Sequence, residues 1–426
     1  MTSKHLLFLL PLLLLCGCGS RTPQDRSTII NSMQLIDRNG FAETISSKDR
    51  IKIYQEVDFL TPQPYQKVLR VYGRNLAGQS TAKVTSYHDN GQLWQYLEVV
   101  DGRAHGFYRE WFPNGQMKIE TTIIEGLADI HELAEKSWVF DGSSRVWDER
   151  GHLTAEIFYE KGVLHTPSLY YHQNGMLQKI IPYQHGNIDG DILVFDDQGN
   201  LLERIPYIKG VMNGKAVSYW EKDHLLSSEN YQEGLLLEAE YYDVKGKSVA
   251  SIEKGKGQQA LFKDDLLHTL ISYHEGIPEG LVSFFRPDQS LKTTYHLKEG
   301  KKEGEEIEYY PSGKPKLSIH WHEGVIQGVV KTWYANGVIE SQREINNNKK
   351  QGLSFAWYQN GDVMLMEEYD NNLLIKASYF KKGDKTPVSK IDAGKGTATL
   401  HTGEGVFLKK ISYEKGHPKL SDDPLR

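Results

Sequence analysis

Four groups of side chains in the 426-residue chain have the types and spacing to suggest chemistry. His320 and His322 lie two apart, so on a β-strand both imidazoles would leave one face and could chelate a metal ion. A zinc site needs three or four ligands. The sequence requires no third ligand beside them, so they read as solvated surface histidines. Glu303, Glu305, Glu306 and Glu308 could supply the paired carboxylates of glycoside cleavage, given a pocket and one perturbed acid. Gly255-Lys256-Gly257 and Gly394-Lys395-Gly396 suggest phosphate loops, but neither has the outer glycine of G-x-x-x-x-G-K-[ST] nor a helical pattern after it. Both read as turn glycines. No G-x-S-x-G elbow occurs for a nucleophilic serine. The expectation is a protein with no catalytic residue, no metal and no cofactor.

The remaining candidate is cysteine. Only Cys16 and Cys18 are present, which excludes a disulfide scaffold or a four-cysteine zinc site. They follow Lys4 and an apolar run, Leu6 to Leu15, broken only by Pro11. A spanning helix needs ~20 apolar residues, so the run is too short to be one and fits an export signal. Leu15-Cys16-Gly17-Cys18 resembles the bacterial lipobox, with a small residue before the acceptor cysteine. The resemblance implies cleavage after Gly17, diacylglyceryl transfer to the Cys18 thiol and N-acylation of the new terminus. Cys16 is a poorer acceptor, because Leu15 would then fill the small-residue position. The plainer reading is an ordinary cleaved signal. Several acyl chains, at ~0.8 kcal/mol per buried CH₂, would anchor the protein stably. The expected location is the cell envelope, lipid-anchored. Gly19 rather than Asp after Cys18 implies the outer membrane where a cell has two.

Bulk composition narrows the rest. A mean hydropathy of −0.53 excludes a polytopic membrane protein, and 11% aromatic residues argue against disorder. The net charge of −6 gives no reason to expect a nucleic-acid partner. With 39 Gly and 24 Tyr, many tight turns between strands are expected.

The turns are periodic. Gly91, Gly115, Gly151, Gly175, Gly199, Gly246, Gly313, Gly337 and Gly361 each follow an aromatic residue by four positions, with steps of 24 residues recurring. His224, Asp265 and Gln289 take the glycine place in degenerate copies, giving about thirteen units. Eleven residues after each anchor comes a second glycine, as at 102, 186, 210 and 324, replaced by Asn348 and Asn372. Asn tolerates positive φ best after Gly, so this place needs a left-handed backbone. Between the turns side chains alternate, as in Leu317, Ile319 and Trp321 against Ser318, His320 and His322. Period two with turns every ~10–12 residues predicts antiparallel strands, and Asn-Gly is a strong hairpin signal.

The repeated pattern Y-x-x-N-G-x-L…Y-x-x-G-x-x-x-G resembles the bacterial variant of the MORN (membrane occupation and recognition nexus) repeat over about 85–385. The resemblance implies an all-β, elongated antiparallel β-meander solenoid of ~24-residue hairpins, a single-layer twisted sheet with grooves lined by aromatics. At ~4.8 Å per strand, thirteen units would extend on the order of 100 Å. The expected organisation is a signal peptide over 1–17, a lipidated tether over 18–28 and a capping region over 29–84. Array I follows over 85–276, array II with a C-terminal cap over 277–418, and a tail over 419–426. Two duplications motivate the division. Ile252-Glu-Lys-Gly-Lys-Gly257 recurs as Ile391-Asp-Ala-Gly-Lys-Gly396, and Tyr273-His-Glu-Gly-Ile-Pro278 as Tyr413-Glu-Lys-Gly-His-Pro418. A single array with an irregular middle is the alternative. The step from 115 to 151 carries extra residues in which 129–136 could form a helical turn.

Trp111, Trp147, Trp333, Trp357, Tyr171 and Tyr309 repeat four residues before the anchors. They can be the packing stripe of the sheet, a binding face for an extended protein partner, or both. The functional expectation is a non-catalytic, membrane-anchored repeat scaffold that binds a protein, with no small-molecule substrate. Resemblance to antitoxin-labelled members of the family implies a toxin-neutralising or immunity role as one alternative. The family name implies phospholipid binding as another, for which Lys298, Lys301 and Lys302 form the best short cluster.

Overall fold

The computed structural model describes residues 29–55, 57–63 and 66–419. The signal, Gly17, Cys18 and the tether lie outside the described residues, as do 420–426 of the tail. The described chain is a succession of antiparallel hairpins, as the all-β expectation held. It forms two compact units, divided between Val163 and Leu164.

In the first unit, strand Ile29–Asp37 pairs with Ala42–Ile45 on one side and Gln66–Arg74 on the other. Helix Lys48–Tyr54 buries Ile51 against Met33, Ile45 and Leu69, closing the end of this sheet. A meander then runs through Ser80–Tyr87, Leu93–Val100, Arg103–Trp111 and Met117–Glu125. The extra residues after Gly115 do contain a short helix, Glu132–Glu135, whose first turn is capped by His131. They drive Trp138 into the core, where its ring lies 4.7 Å from that of Tyr108. Gly142–Trp147 then resumes pairing with Met117–Glu125.

The second unit continues the same pattern, and near its end Lys395–His401 pairs with Phe407–Glu414, which in turn pairs with His417–Pro418. Its buried strand residues include small ones, such as Ala216, Ala239, Ser318 and Ser354, and larger ones, such as Ile192, Val282 and Val330.

The two kinds of turn differ. After each aromatic, the chain makes a three-residue loop with glycine in the left-handed position, as at Gly115 (φ 84°) and Gly337 (φ 94°). The amide of Gly337 donates to the Tyr334 carbonyl at 2.8 Å, and that of Tyr334 to the Val338 carbonyl at 2.9 Å. This is a tight turn followed by a glycine bulge, not the two-residue loop that Asn-Gly usually signals. The Asn has ordinary φ and serves through its side chain. Asn336 Oδ1 accepts the Val338 amide at 2.9 Å, and Nδ2 donates to the Gln359 carbonyl of the next unit at 3.0 Å. Asn90, Asn114 and Asn174 bridge in the same way. Where Asn is missing, Asp148, Asp196 or Asp243 accepts turn amides from three residues before the glycine.

The second turn is the two-residue type. In it two consecutive residues have positive φ, as in Lys209 (49°) with Gly210 (83°) and Glu323 (48°) with Gly324 (81°). The glycine amide then points at the preceding unit. Gly210 donates to Ile188 at 2.7 Å, Gly234 to Met212 at 2.9 Å and Gly324 to Lys302 at 2.9 Å. Asn348 and Asn372 keep this bond and add a second, because Asn348 Oδ1 accepts the Ile326 amide at 2.9 Å and Asn372 Oδ1 the Lys350 amide at 2.7 Å. One degenerate turn is shifted from expectation. The left-handed residue is Asp223 (φ 60°), not His224, because the loop there is two residues long and Glu221 pairs with His224.

The duplicated blocks are structural copies. In one, the Leu236 amide donates to Gly276, Gly276 to Gly255 and Gly255 to Leu237, closing three turns on each other. In the other, Leu374 donates to Gly416, Gly416 to Gly394 and Gly394 to Ile375. The backbones approach so closely that a Cβ on Gly255 would lie 2.6 Å from the Gly276 nitrogen. The chain runs on from the first copy, where Leu266–His274 pairs with Ile277–Phe285.

Asn336→Ala removes both the turn bond and the bridge, and should lower stability by about 1–2 kcal/mol. Asn336→Asp keeps the acceptor alone and should fall between the two. Urea denaturation followed by tryptophan fluorescence measures both.

Candidate interaction surface

The six aromatic residues expected on a binding face are all half-buried. Four of them are fixed from the preceding unit through their backbone. His88 Nε2 donates to the Trp111 carbonyl at 2.8 Å, Tyr310 Oη to Trp333 at 2.6 Å and Tyr334 Oη to Trp357 at 2.8 Å. Arg286 reaches the Tyr309 carbonyl in the same way. At these places the residue three before the anchor is therefore a rung between units, and it holds the backbone of the next aromatic. Trp111 packs against the core of the first unit, and Trp357 stacks on Phe355 with ring centroids 5.8 Å apart. Trp147 stands at the end of strand Gly142–Trp147 and Tyr171 at the end of Ser168–Tyr171.

The other sequence candidates have settled surroundings. His322 Nδ1 lies 3.1 Å from Glu303, while His320 packs over Gly328 of the neighbouring strand. Glu306 accepts from Lys302 and from the Trp321 indole, and Glu308 from Lys316. Among the described residues, no group of three His, Cys, Asp or Glu could hold a metal ion. The lysines at 298, 301 and 302 do not act as a cluster, because Lys302 is engaged with Glu306 and lies over the Tyr295 and Trp321 rings.

Two features were not anticipated. In the first unit, a cavity of about 410 Å³ is lined by Arg70, His88, Trp94, Asp129 and His131. The extra residues after Gly115 supply its Asp129 and His131, and Arg70 forks onto Asp129 at 3.0 and 3.1 Å. In the second unit, a half-buried carboxylate beside each duplicated block is bonded by tyrosines. Glu229 accepts from Tyr241 at 2.6 Å and Tyr231 at 3.0 Å, and Glu367 from Tyr379 at 2.9 Å and Tyr369 at 3.0 Å. The spacing Glu-x-Tyr, repeated at 229 and 367, was the available sequence signal.

Hairpins of ~24 residues, tied turn to turn, define an all-β repeat protein. The MORN repeat variant matches the chain at 164–185, 302–323 and 326–347. All three stretches lie in the second unit. No curated protein matches. Among solved structures, one described as TcdB2-TccC3 without hypervariable C-terminal region is 11% identical, with a TM-score of 0.12. The match covers 87% of this chain, which spans 28% of that one. Another, described as the eukaryotic initiation factor, is 10% identical over 90% of this chain and 96% of that one, with a TM-score of 0.19. Likenesses this slight carry no argument about fold or function.

Burial, then the neighbouring carboxylates, push the hydroxyls of Tyr231, Tyr241, Tyr369 and Tyr379 far above their ordinary pKa, and burial raises Tyr87 to about 12. A tyrosine raised in the fold stabilises it fully below its unfolded pKa, about 10, and loses that contribution as pH rises above it. Tyrosinate absorbance near 295 nm should therefore lag behind that of free tyrosine, and a part of it should appear only together with loss of β-sheet ellipticity. A smooth titration near pH 10 with the sheet intact would contradict this.

Proposed function

We propose that the protein is a non-catalytic scaffold, held at a membrane through acylated Cys18, that binds a protein partner along its repeated aromatic positions. The observation that carries the binding reading is the state of Tyr309, Trp333 and Trp357. Each ring is half-buried, and each backbone is pinned by a side chain of the preceding unit. Rings presented in this way lose little freedom on binding, which favours them as contact anchors. The match to the MORN repeat variant supports a repeat used for binding. Because the contacts repeat, no single ring should dominate the affinity.

Cys18→Ser should move the protein from the membrane fraction to the soluble fraction. Retention in the membrane would remove the anchor from the account. For the face, a photo-reactive side chain at Tyr309 or Trp333 should give a discrete adduct in the native envelope, and one at exposed Lys245 should give none. Equal labelling at all three sites would count against a specific partner. Rescue of cells from a toxic neighbouring gene product would instead favour the immunity reading.

A further inference from the structure

The charge of the chain is unevenly placed. Residues 29–375 hold 36 basic and 49 acidic side chains, whereas 376–419 hold ten lysines and four carboxylates. The last hairpins therefore reverse the sign of the rest. All ten lysines are exposed. Lys409 and Lys410 have no carboxylate within ion-pair distance among the described residues, and only Lys419 of the ten is paired, with Glu414.

These two lysines lie on strand Phe407–Glu414, which is paired on one side with Lys395–His401. On its other side only Tyr413 and Glu414 are paired, with His417–Pro418, and the Ser412 carbonyl accepts the Lys419 amide. Leu408 to Ile411 thus have an unpaired edge among the described residues. The segment begins with consecutive apolar residues at high exposure: Val406 63%, Phe407 56% and Leu408 57%. Lysine on an edge strand is a common device against aggregation. That device does not account for three exposed apolar residues at the head of the same edge, which such a device would avoid.

We propose that this edge receives an extended acidic polypeptide segment as an added β-strand. Backbone hydrogen bonds to Leu408–Ile411 would supply affinity and register, as in other strand-addition complexes. Lys409 and Lys410 project to opposite faces of the strand. Acidic side chains on either face of the incoming strand would therefore meet a cation, and the unpaired lysines select against a basic segment. Val406, Phe407 and Leu408 would cover apolar residues at one end of the incoming strand. This deepens the protein-binding reading by giving the chemistry of one partner segment, and it rests on that reading. It uses a surface separate from the aromatic positions, so either can fail alone.

The test uses the full-length chain and a fluorescent ten-residue peptide alternating Glu with Val, with binding read by anisotropy. Controls are the same peptide with Lys for Glu and one with a central proline. The acidic peptide should bind, more weakly as salt rises. Both controls and a Lys409→Glu/Lys410→Glu variant should bind at least about tenfold more weakly. Circular dichroism of the variant checks that it is folded. Equal binding of the proline peptide would overturn strand addition, leaving only charge attraction. Unchanged binding by the double variant would overturn the site. Binding of the unlipidated Cys18→Ser chain to phosphatidylglycerol vesicles, lost with the same lysines and without peptide binding, would assign the edge to a lipid surface. Concentration-dependent self-association abolished by the double variant, again without peptide binding, would assign it to a second copy.

Discussion

The hydrogen bond from one turn to the turn before it is the constraint on which the repeat depends. A two-residue hairpin loop leaves its second amide outside the strand ladder. Here that amide donates to a carbonyl of the preceding unit, at 2.7 Å from Gly210 and 2.9 Å from Gly324. The bond accompanies two successive left-handed residues, and at this place glycine follows residues such as Asp, Lys, His or Glu, while Asn348 and Asn372 each follow another Asn.

Side-chain rungs complete the coupling. Asn before the anchor glycine and His, Tyr or Arg two positions earlier both reach the next unit. Units are thus coupled mainly to their neighbours, as expected for a repeat protein, where stability is a sum of local and nearest-neighbour contributions. The position of each binding-face aromatic is a by-product of this coupling. Its carbonyl is held by one unit while its ring belongs to the next. The closed turn triads at Gly255 and Gly394 carry the same bond to its limit, because each turn there both gives and receives.

The period, the turn glycines and the antiparallel order were all legible in the sequence, since glycine at positive φ and alternation of side chains act within one unit. Asn-Gly signals a hairpin, and a hairpin forms at each anchor pair, but the pair does not reveal the loop length or the second use of the Asn side chain. Local turn statistics favour a two-residue loop, whereas the Asn amide is used between units, at a sequence distance of 23 residues at Asn90, Asn174 and Asn336. The shift from His224 to Asp223 has the same origin, because loop length is set by the strand register. The cavity beside Arg70 could not be read from motifs, since it forms between Arg70 and Asp129, 59 residues apart. The basic hairpins at 376–419 were visible in principle, but a whole-chain charge of −6 conceals them.

The central claim is that turn amides are bonded between units. Hydrogen exchange read at the amides of Gly210, Gly234, Gly324 and Asn348 tests it most directly. The account predicts protection comparable to amides within the adjoining strands, and its loss at Gly324 when Lys301-Lys302 is replaced by a sequence that cannot hold its turn. Exchange of all four amides at the rate of an unstructured chain, with the strands still protected, would contradict it.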